Sequence, residues 1–143
     1  MTSDFTPFLT REYRIEWGHC DPAGIVYAPR FLEMFGESTI ILFEQALGVR
    51  KRDMLKERGV VGYPMVDLSA KFVRPAAYGD VVTLEAAAPD FGNSSFTIAH
   101  RLLKDGELCV SGVEKRVWTV ADASRTGGMK AERVPDAVRN AFA

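Results

Sequence analysis

Between Arg11 and Trp17 polar and apolar residues alternate with period two, which places Tyr13, Ile15 and Trp17 on one side. That pattern predicts a half-buried strand with those three side chains inward. The first ten residues lack the alternation and are expected to form a loose arm. Gly18 ends the strand, and Asp21-Pro22 followed by Gly24 marks a turn. From about Pro29 to Leu47 the period changes. Phe31, Met34, Phe35, Leu42 and Gln45 fall on one helical face, and Leu32, Ile40, Ile41, Phe43 and Leu47 widen the apolar surface beyond a stripe. A long helix wrapped by protein on most sides is expected, with Glu33, Glu37 and Glu44 as its solvated strip. Proline suits its first turn and Gly48 its end. A shorter, charged helix is expected from about Arg50 to Arg58, closed by Gly59.

Four strand-like segments follow. In Val66–Phe72 the apolar residues alternate with Asp67, Ser69 and Lys71. Asp80–Ala86 and Ser95–Leu102 come next, separated by Gly92-Asn93. Asp105-Gly106 is a strong hairpin signal. The last strand runs from about Leu108 to Val120 and ends near Trp118. Residues 122–130 are a polar connection, and Pro135 to Phe142 a short terminal helix. The order is strand, long helix, short helix, four-stranded meander. Strands joined by short turns pair antiparallel, and the apolar helix is the one element large enough to cover a sheet face. The expected fold is α+β: a curled antiparallel sheet around one central helix, in a single domain over residues 1–143. Its core spans about 11–121, with a flexible N-terminal arm and a short C-terminal extension.

Composition removes several functions. A chain of 143 residues fits one domain. With 47% apolar residues and a formal net charge of −1, intrinsic disorder is excluded. Eighteen Lys and Arg face 19 Asp and Glu with no basic block, so no nucleic-acid partner is expected. The longest aliphatic and aromatic run, Ile40–Phe43, is far below the roughly 20 residues of a membrane span. The N-terminus has neither a basic start nor an apolar stretch of signal-peptide length. Cys20 and Cys109 stand far apart and suit reduced thiols in a cytoplasmic protein. A zinc site would require the adjacent His19 and Cys20 to aim at one ion, so no metal is expected.

The stretch Trp17-Gly18-His19-Cys20-Asp21-Pro22-Ala23-Gly24-Ile25-Val26-Tyr27-Ala28-Pro29-Arg30-Phe31 carries the chemistry. It puts a carboxylate, a tight turn and a helix start within a dozen residues. A helix start holds unpaired N–H groups and about half a positive charge, which suit an anion or a polarised carbonyl oxygen. A carboxylate just before it can attack that carbonyl or activate a water. Asp before Pro, with Gly following, is equally ordinary turn and cap chemistry.

Cys20-Asp21-Pro22-Ala23-Gly24-Ile25-Val26-Tyr27, with Trp17-Gly18 before it and Pro29 after, resembles the signature of the 4-hydroxybenzoyl-CoA thioesterase family of hotdog-fold proteins. Gly62-Tyr63-Pro64-Met65-Val66 and Ala70-Lys71-Phe72-Val73 extend the resemblance along the meander to about Val120. The resemblance implies an acyl-CoA thioesterase acting on an aromatic or short-chain acyl group, without a cofactor. It implies Asp21 as the catalytic carboxylate, nucleophile or general base, and the backbone amide of Ala28 as the group that polarises the thioester carbonyl. It also implies a homo-oligomer, dimer or tetramer, with active sites between subunits. His19, Gly24, Tyr27, Gly36, Tyr63 and Asp67 are candidate substrate-binding residues. Gly36 departs from the family member that hydrolyses 4-hydroxybenzoyl-CoA, which has a carboxylate there for the phenol hydroxyl. The turn Phe91–Ser95 likewise lacks that member's basic cluster for the CoA phosphates. Lys71, Arg74, Lys115, Arg116 and Arg125 are the alternatives. His100 shares a face with Phe96, Ile98 and Leu102, as a satisfied core or interface histidine would. A non-catalytic acyl-thioester-binding module is the alternative function, and a hotdog hydratase, which needs a second proton-transfer group, is a third.

Overall fold

The structure, a computed structural model, describes residues 5–143; the first four residues of the expected arm lie outside it. The arm is short, because strand β1 already runs over Pro7–Arg14. It pairs antiparallel with β4 (Val81–Ala87) from Pro7↔Ala87 to Arg14↔Val81. Leu9 and Ile15 are buried and Tyr13 is half-buried, as period two requires. Trp17 is not inward. The chain enters a 3-10 turn at Trp17–His19, the alternation loses phase, and the indole lies exposed with its edge against the Tyr78 ring at 5.6 Å.

Helix α1 covers Ala28–Leu47. Tyr27, extended at φ −67°, precedes it, Pro29 sits in its first turn, and Gly48 ends it in the left-handed region at φ 68°. Phe31, Phe35, Leu42 and Phe43 bury its sheet-facing side. Leu32, Gly36 and Ile40 are only half-buried, so the helix is wrapped on one side rather than most sides. A single curled sheet reaches no further round it. The short charged helix is part 3-10 turn, at Lys51–Asp53, and part α2, at Met54–Arg58, with Gly59 left-handed behind it.

The remaining elements are β2 (Val60–Gly62), β3 (Met65–Phe72), β5 (Asp90–Phe91), β6 (Ser95–Lys104), β7 (Glu107–Val117), β8 (Thr119–Ala121), β9 (Met129–Ala131) and α3 (Asp136–Asn140). The main sheet has the order β1-β4-β6-β7-β3, with β5 on β6, all antiparallel. The expected four-stranded meander holds only for β4, β6 and β7. β3 pairs with β7 at the far edge, so residues 73–80 cross back over the sheet to reach β4; sequence neighbours pair often, but not always. The last strand also stops early. Trp118 donates its N–H to the Ser94 carbonyl at 2.8 Å, its indole is buried, and β8 joins a separate sheet with β2 and β9. β9 begins inside the stretch expected to be only a connection and ends one residue past it. Between β6 and β7, Asp105 and Gly106 both have positive φ, 52° and 78°, as a two-residue type I′ hairpin demands.

The core has two halves. One gathers Ile15, Val26, Phe31, Phe35, Leu84 and Val110 around the start of α1. The other gathers Phe43, Tyr63, Phe96, Trp118, Val138 and Phe142 toward its end. A buried polar node sits in the middle of α1. Thr39 donates its hydroxyl hydrogen to Glu114 Oε1, His100 Nε2 lies 3.0 Å from the same oxygen, and Arg116 Nη2 donates to Glu114 Oε2 at 2.8 Å. Burial alone would raise the Glu114 pKa. The hydrogen bonds from His100 and Arg116, with the charge of His100 and the Thr39 hydroxyl, outweigh it and hold the carboxyl at about 2. His100 is the core histidine its phase implied, stacked on Phe35 at 4.9 Å. Gly112 permits this stack, since a Cβ there would stand 2.8 Å from the Phe35 ring. Among the described residues no helix is long and apolar enough to cross a membrane.

Candidate active site

The loop from Cys20 to Val26 closes on itself. Cys20 and Val26 form a bridge, the Asp21 N–H donates to the Ile25 carbonyl at 3.0 Å, and the Gly24 N–H donates to the Asp21 carbonyl at 2.9 Å. Gly24 sits at φ 81°, a conformation that favours glycine. Asp21 Oδ1 accepts the Ala23 N–H at 2.8 Å. The turn role of Asp21 is therefore real, and it uses one carboxylate oxygen. Oδ2 has no partner among the described residues. The loop is fastened from outside by the β3–β4 crossover: Ile25 bridges Ala77, the Val26 N–H donates to Ala76 at 2.8 Å, and the Tyr78 N–H donates to Gly24 at 3.1 Å.

Next in the chain is the start of α1. The Tyr27 N–H is spent on the His19 carbonyl at 2.9 Å and the Arg30 N–H on the Tyr27 carbonyl at 2.8 Å. Pro29 has no N–H to offer. The Ala28 N–H has no acceptor among the described residues, and no side chain caps this end. Ala28 borders a cleft of about 350 Å³ together with Ile25, Val26, Phe31, Phe72, Val73, Arg74 and Pro75. An unpaired donor at a helix start, in an apolar cleft, polarises a carbonyl oxygen placed against it.

The other candidates divide. His19 braces its own turn: the Glu16 N–H donates to Nδ1 at 2.9 Å, which leaves the Nε2 hydrogen to face the Tyr13 hydroxyl at 3.1 Å. Tyr27 is 56% exposed beside the site. Gly36 lies on α1, where a Cβ would stand 3.4 Å from Arg116 Nη2. Tyr63 belongs to the far half of the core, 3% exposed and packed on Phe43 and Trp118, and burial pushes its phenol pKa up. Asp67 pairs in register with Lys115, whereas the helix-facing Leu68 pairs with Glu114, so Asp67 is on the outer face of the sheet. Cys20 is half-buried, its Sγ 3.7 Å from the Glu16 carbonyl. Among the basic candidates, Arg74 borders the cleft and pairs with Glu107 at 3.0 Å. Lys71 and Lys115 are on the outer face, Arg125 pairs with Asp122, and Arg116 is in the buried node.

Two arrangements escaped the sequence reading. Arg116 pairs with Glu114, two positions before it, and reaches the carbonyl of Tyr63, far away in the chain. Arg139 of α3 reaches the Phe91–Ser95 turn and donates Nη2 hydrogens to the Gly92 and Asn93 carbonyls at 2.6 and 2.8 Å. The turn that lacks a basic residue of its own thus receives one from the C-terminus. The signal was a lone arginine in a short helix, which sequence spacing alone does not aim. Among the described residues no cluster of three or more His, Cys, Asp and Glu has the arrangement of a metal site.

The model of the thioesterase-like superfamily matches residues 15–142. A 4-hydroxybenzoyl-CoA thioesterase from Pseudomonas sp. (strain CBS-3) is 33% identical over 132 residues, 89% of this chain and 92% of that one. The three-dimensional structure of the 4-hydroxybenzoyl CoA thioesterase from that strain superimposes with a TM-score of 0.85 at 30% identity, over 95% of this chain and 99% of the other. A gentisyl-coenzyme A thioesterase superimposes with a TM-score of 0.80 at 26% identity, over 94% and 100%. An Asp-to-Asn mutant of a 4-hydroxybenzoyl CoA thioesterase, complexed with 4-hydroxybenzoyl CoA, gives 0.83 at 31% identity, over 94% and 98%. The sheet curled around α1 is the hotdog arrangement of these relatives, and the chain belongs to the thioesterase-like superfamily as a hydrolase of thioesters.

Proposed function

We propose that this hydrolase cleaves an acyl-CoA, with an aromatic 4-hydroxybenzoyl-like or short-chain acyl group, to the free acid and CoA. The observation that carries the reading is the unpaired Ala28 N–H on the apolar cleft, directly after a loop that presents the Asp21 carboxylate. The thioester carbonyl oxygen accepts the Ala28 N–H. Asp21 then attacks the carbonyl carbon, CoA leaves as thiolate, and water opens the mixed anhydride. In the general-base form Asp21 takes a proton from water as that water attacks. Thiolate is a good leaving group, so either route proceeds without a cofactor. The named substrates of the relatives support a CoA thioester. The Asp-to-Asn mutant of a relative complexed with 4-hydroxybenzoyl CoA supports a substrate of the same class.

The working unit is a homo-oligomer, dimer or tetramer, in the cytoplasm, with the site between subunits. Supporting this, β3 is an edge strand with its outer edge unpaired among the described residues, and Val66, Phe72, Val73, Trp17 and Tyr27 are exposed. An open edge with apolar neighbours calls for a covering partner, and a second copy supplies both. The test is thiol release over a panel of aryl- and alkyl-CoA thioesters, wild type beside Asp21→Asn, with molecular mass from light scattering. The variant is expected to lose roughly 10²–10⁴-fold in kcat at unchanged mass and melting temperature. Full turnover by folded Asp21→Asn protein removes Asp21 from the chemistry.

A further inference from the structure

Resting on the acyl-CoA reading, we infer that His19 is a positioning residue of the active site: it holds the Asp21 loop to the start of α1 as the neutral imidazole, and its protonation loosens both. His19 is clasped at three points. Its N–H donates to the Glu16 carbonyl at 3.0 Å, its Nδ1 accepts the Glu16 N–H at 2.9 Å, and its carbonyl accepts the Tyr27 N–H at 2.9 Å. The last bond ends one residue before the Ala28 N–H, and Asp21 follows His19 by two. Position 19 therefore joins the carboxylate to the donor.

The geometry fixes the proton. The Glu16 N–H points at Nδ1, so Nδ1 carries a lone pair and the ring hydrogen is on Nε2, facing the Tyr13 hydroxyl at 3.1 Å. An imidazolium donates at both nitrogens and accepts at neither. Protonation sets N–H against N–H at Glu16, and the ring must leave the clasp. Burial and Glu37 push the Tyr13 phenol pKa up, so Tyr13 stays a neutral partner. From α1, Arg30, Glu33 and Glu37 border the cavity of about 90 Å³ that Tyr13 and His19 share. Glu33 pairs with Arg30, and Glu37 with Arg11 of β1, each at 2.9 Å, so these four charges cancel. On its own stretch of chain His19 has the carboxylates of Glu16 and Asp21, and Cys20 Sγ, which is turned to the Glu16 carbonyl at 3.7 Å. The ring is half-buried, so protons from solvent reach it. Imidazole is the side chain whose charge ordinarily changes between about pH 5 and pH 8.

The test is the pH profile of kcat/KM for wild type, His19→Asn and His19→Ala, with melting temperatures alongside. Asparagine Oδ1 stands where Nδ1 stands and accepts at every pH; alanine accepts at none. Wild type is expected to lose about fivefold between about pH 8 and pH 5, the worth of one hydrogen bond. His19→Asn is expected to flatten that interval, and His19→Ala to lie about fivefold below His19→Asn throughout. Any contribution of Asp21 is common to all three. NMR on Asp21→Asn protein reads the same coupling without turnover, and the chain has only two histidines to assign. His19 is expected as the Nε2–H tautomer at high pH, and the Tyr27 and Ala28 amide signals are expected to move with its titration. A limb kept by His19→Asn, His19→Ala as active as His19→Asn, or an Ala28 amide indifferent to the His19 titration overturns the inference and leaves hydrolysis standing. An Ala28 amide that follows His19, without thiol release from any thioester by wild type, keeps the coupling and overturns hydrolysis.

Discussion

The two polar places of this molecule are built in opposite ways. At the Asp21 loop the backbone does the holding: Asp21, Gly24, Val26 and Tyr27 are fixed by main-chain bonds to Ile25, Asp21, Ala76 and His19. The carboxylate keeps one oxygen clear, and the Ala28 N–H is left over. At the node in the middle of α1 the side chains do the holding. Thr39, His100 and Arg116 converge on the Glu114 carboxylate inside the core. A reactive group needs a scaffold that does not consume it, whereas a buried charge needs partners that do. Substitution should therefore separate them. The loop loses activity and keeps stability, and the node loses stability first.

The largest effect on stability is expected from Glu114→Ala. It strands Arg116 and His100 without their shared acceptor, and breaking one side of a buried pair costs about 3–5 kcal/mol. Thermal unfolding with a matched denaturant titration measures it. A loss under half of the lower figure would show that the node is ornamental to the fold.

Ala28→Pro is the next. The site already has an extended residue before it, and proline is at home in a first helical turn, so the fold should be unchanged. The substitution deletes the unpaired N–H and no side chain of consequence. Loss of one such donor costs about 10²–10³-fold in kcat. Steady-state thiol release at saturating substrate, with circular dichroism alongside, checks it. Unaltered kcat in a folded variant moves carbonyl polarisation elsewhere.

A smaller, graded effect is expected in acid. The Glu114 carboxyl is lowered from 4.5 to about 2 in the folded chain. A depressed carboxyl contributes stability that is fully present above its unfolded value and is lost as pH falls through the folded one. Stability should decline from about pH 4.5 toward pH 2, and the decline should be shallower in Glu114→Gln. Equilibrium denaturation at several pH values reads both slopes.

Much of this was visible along the chain. The length of α1, the left-handed glycines at 48 and 59 and the Asp105-Gly106 hairpin follow from local rules, and the structure has them all. What local rules do not encode is where β3 goes. Its alternation makes it a strand, yet its partner, β7, is chosen by the whole sheet. Trp17 fails for a related reason: the three-residue 3-10 turn that it opens suffices to turn it outward. At the site, Asp21 and the helix start were legible because they are neighbours in sequence. The Gly36–Arg116 pair and the reach of Arg139 were not, since each joins segments brought together only by folding.

The tie between the β3–β4 crossover and the Asp21 loop also bears on the order of assembly. Ile25 and Ala77 lie about fifty positions apart, and contacts of that span are reached late and slowly, after the hairpins and helix that close on themselves. A refolding chain can regain the signal of α1 and of the β6–β7 hairpin before this loop is clamped. Returning turnover therefore reports completion of the most non-local part of the chain, and is a stricter mark of the native state than recovered helix content.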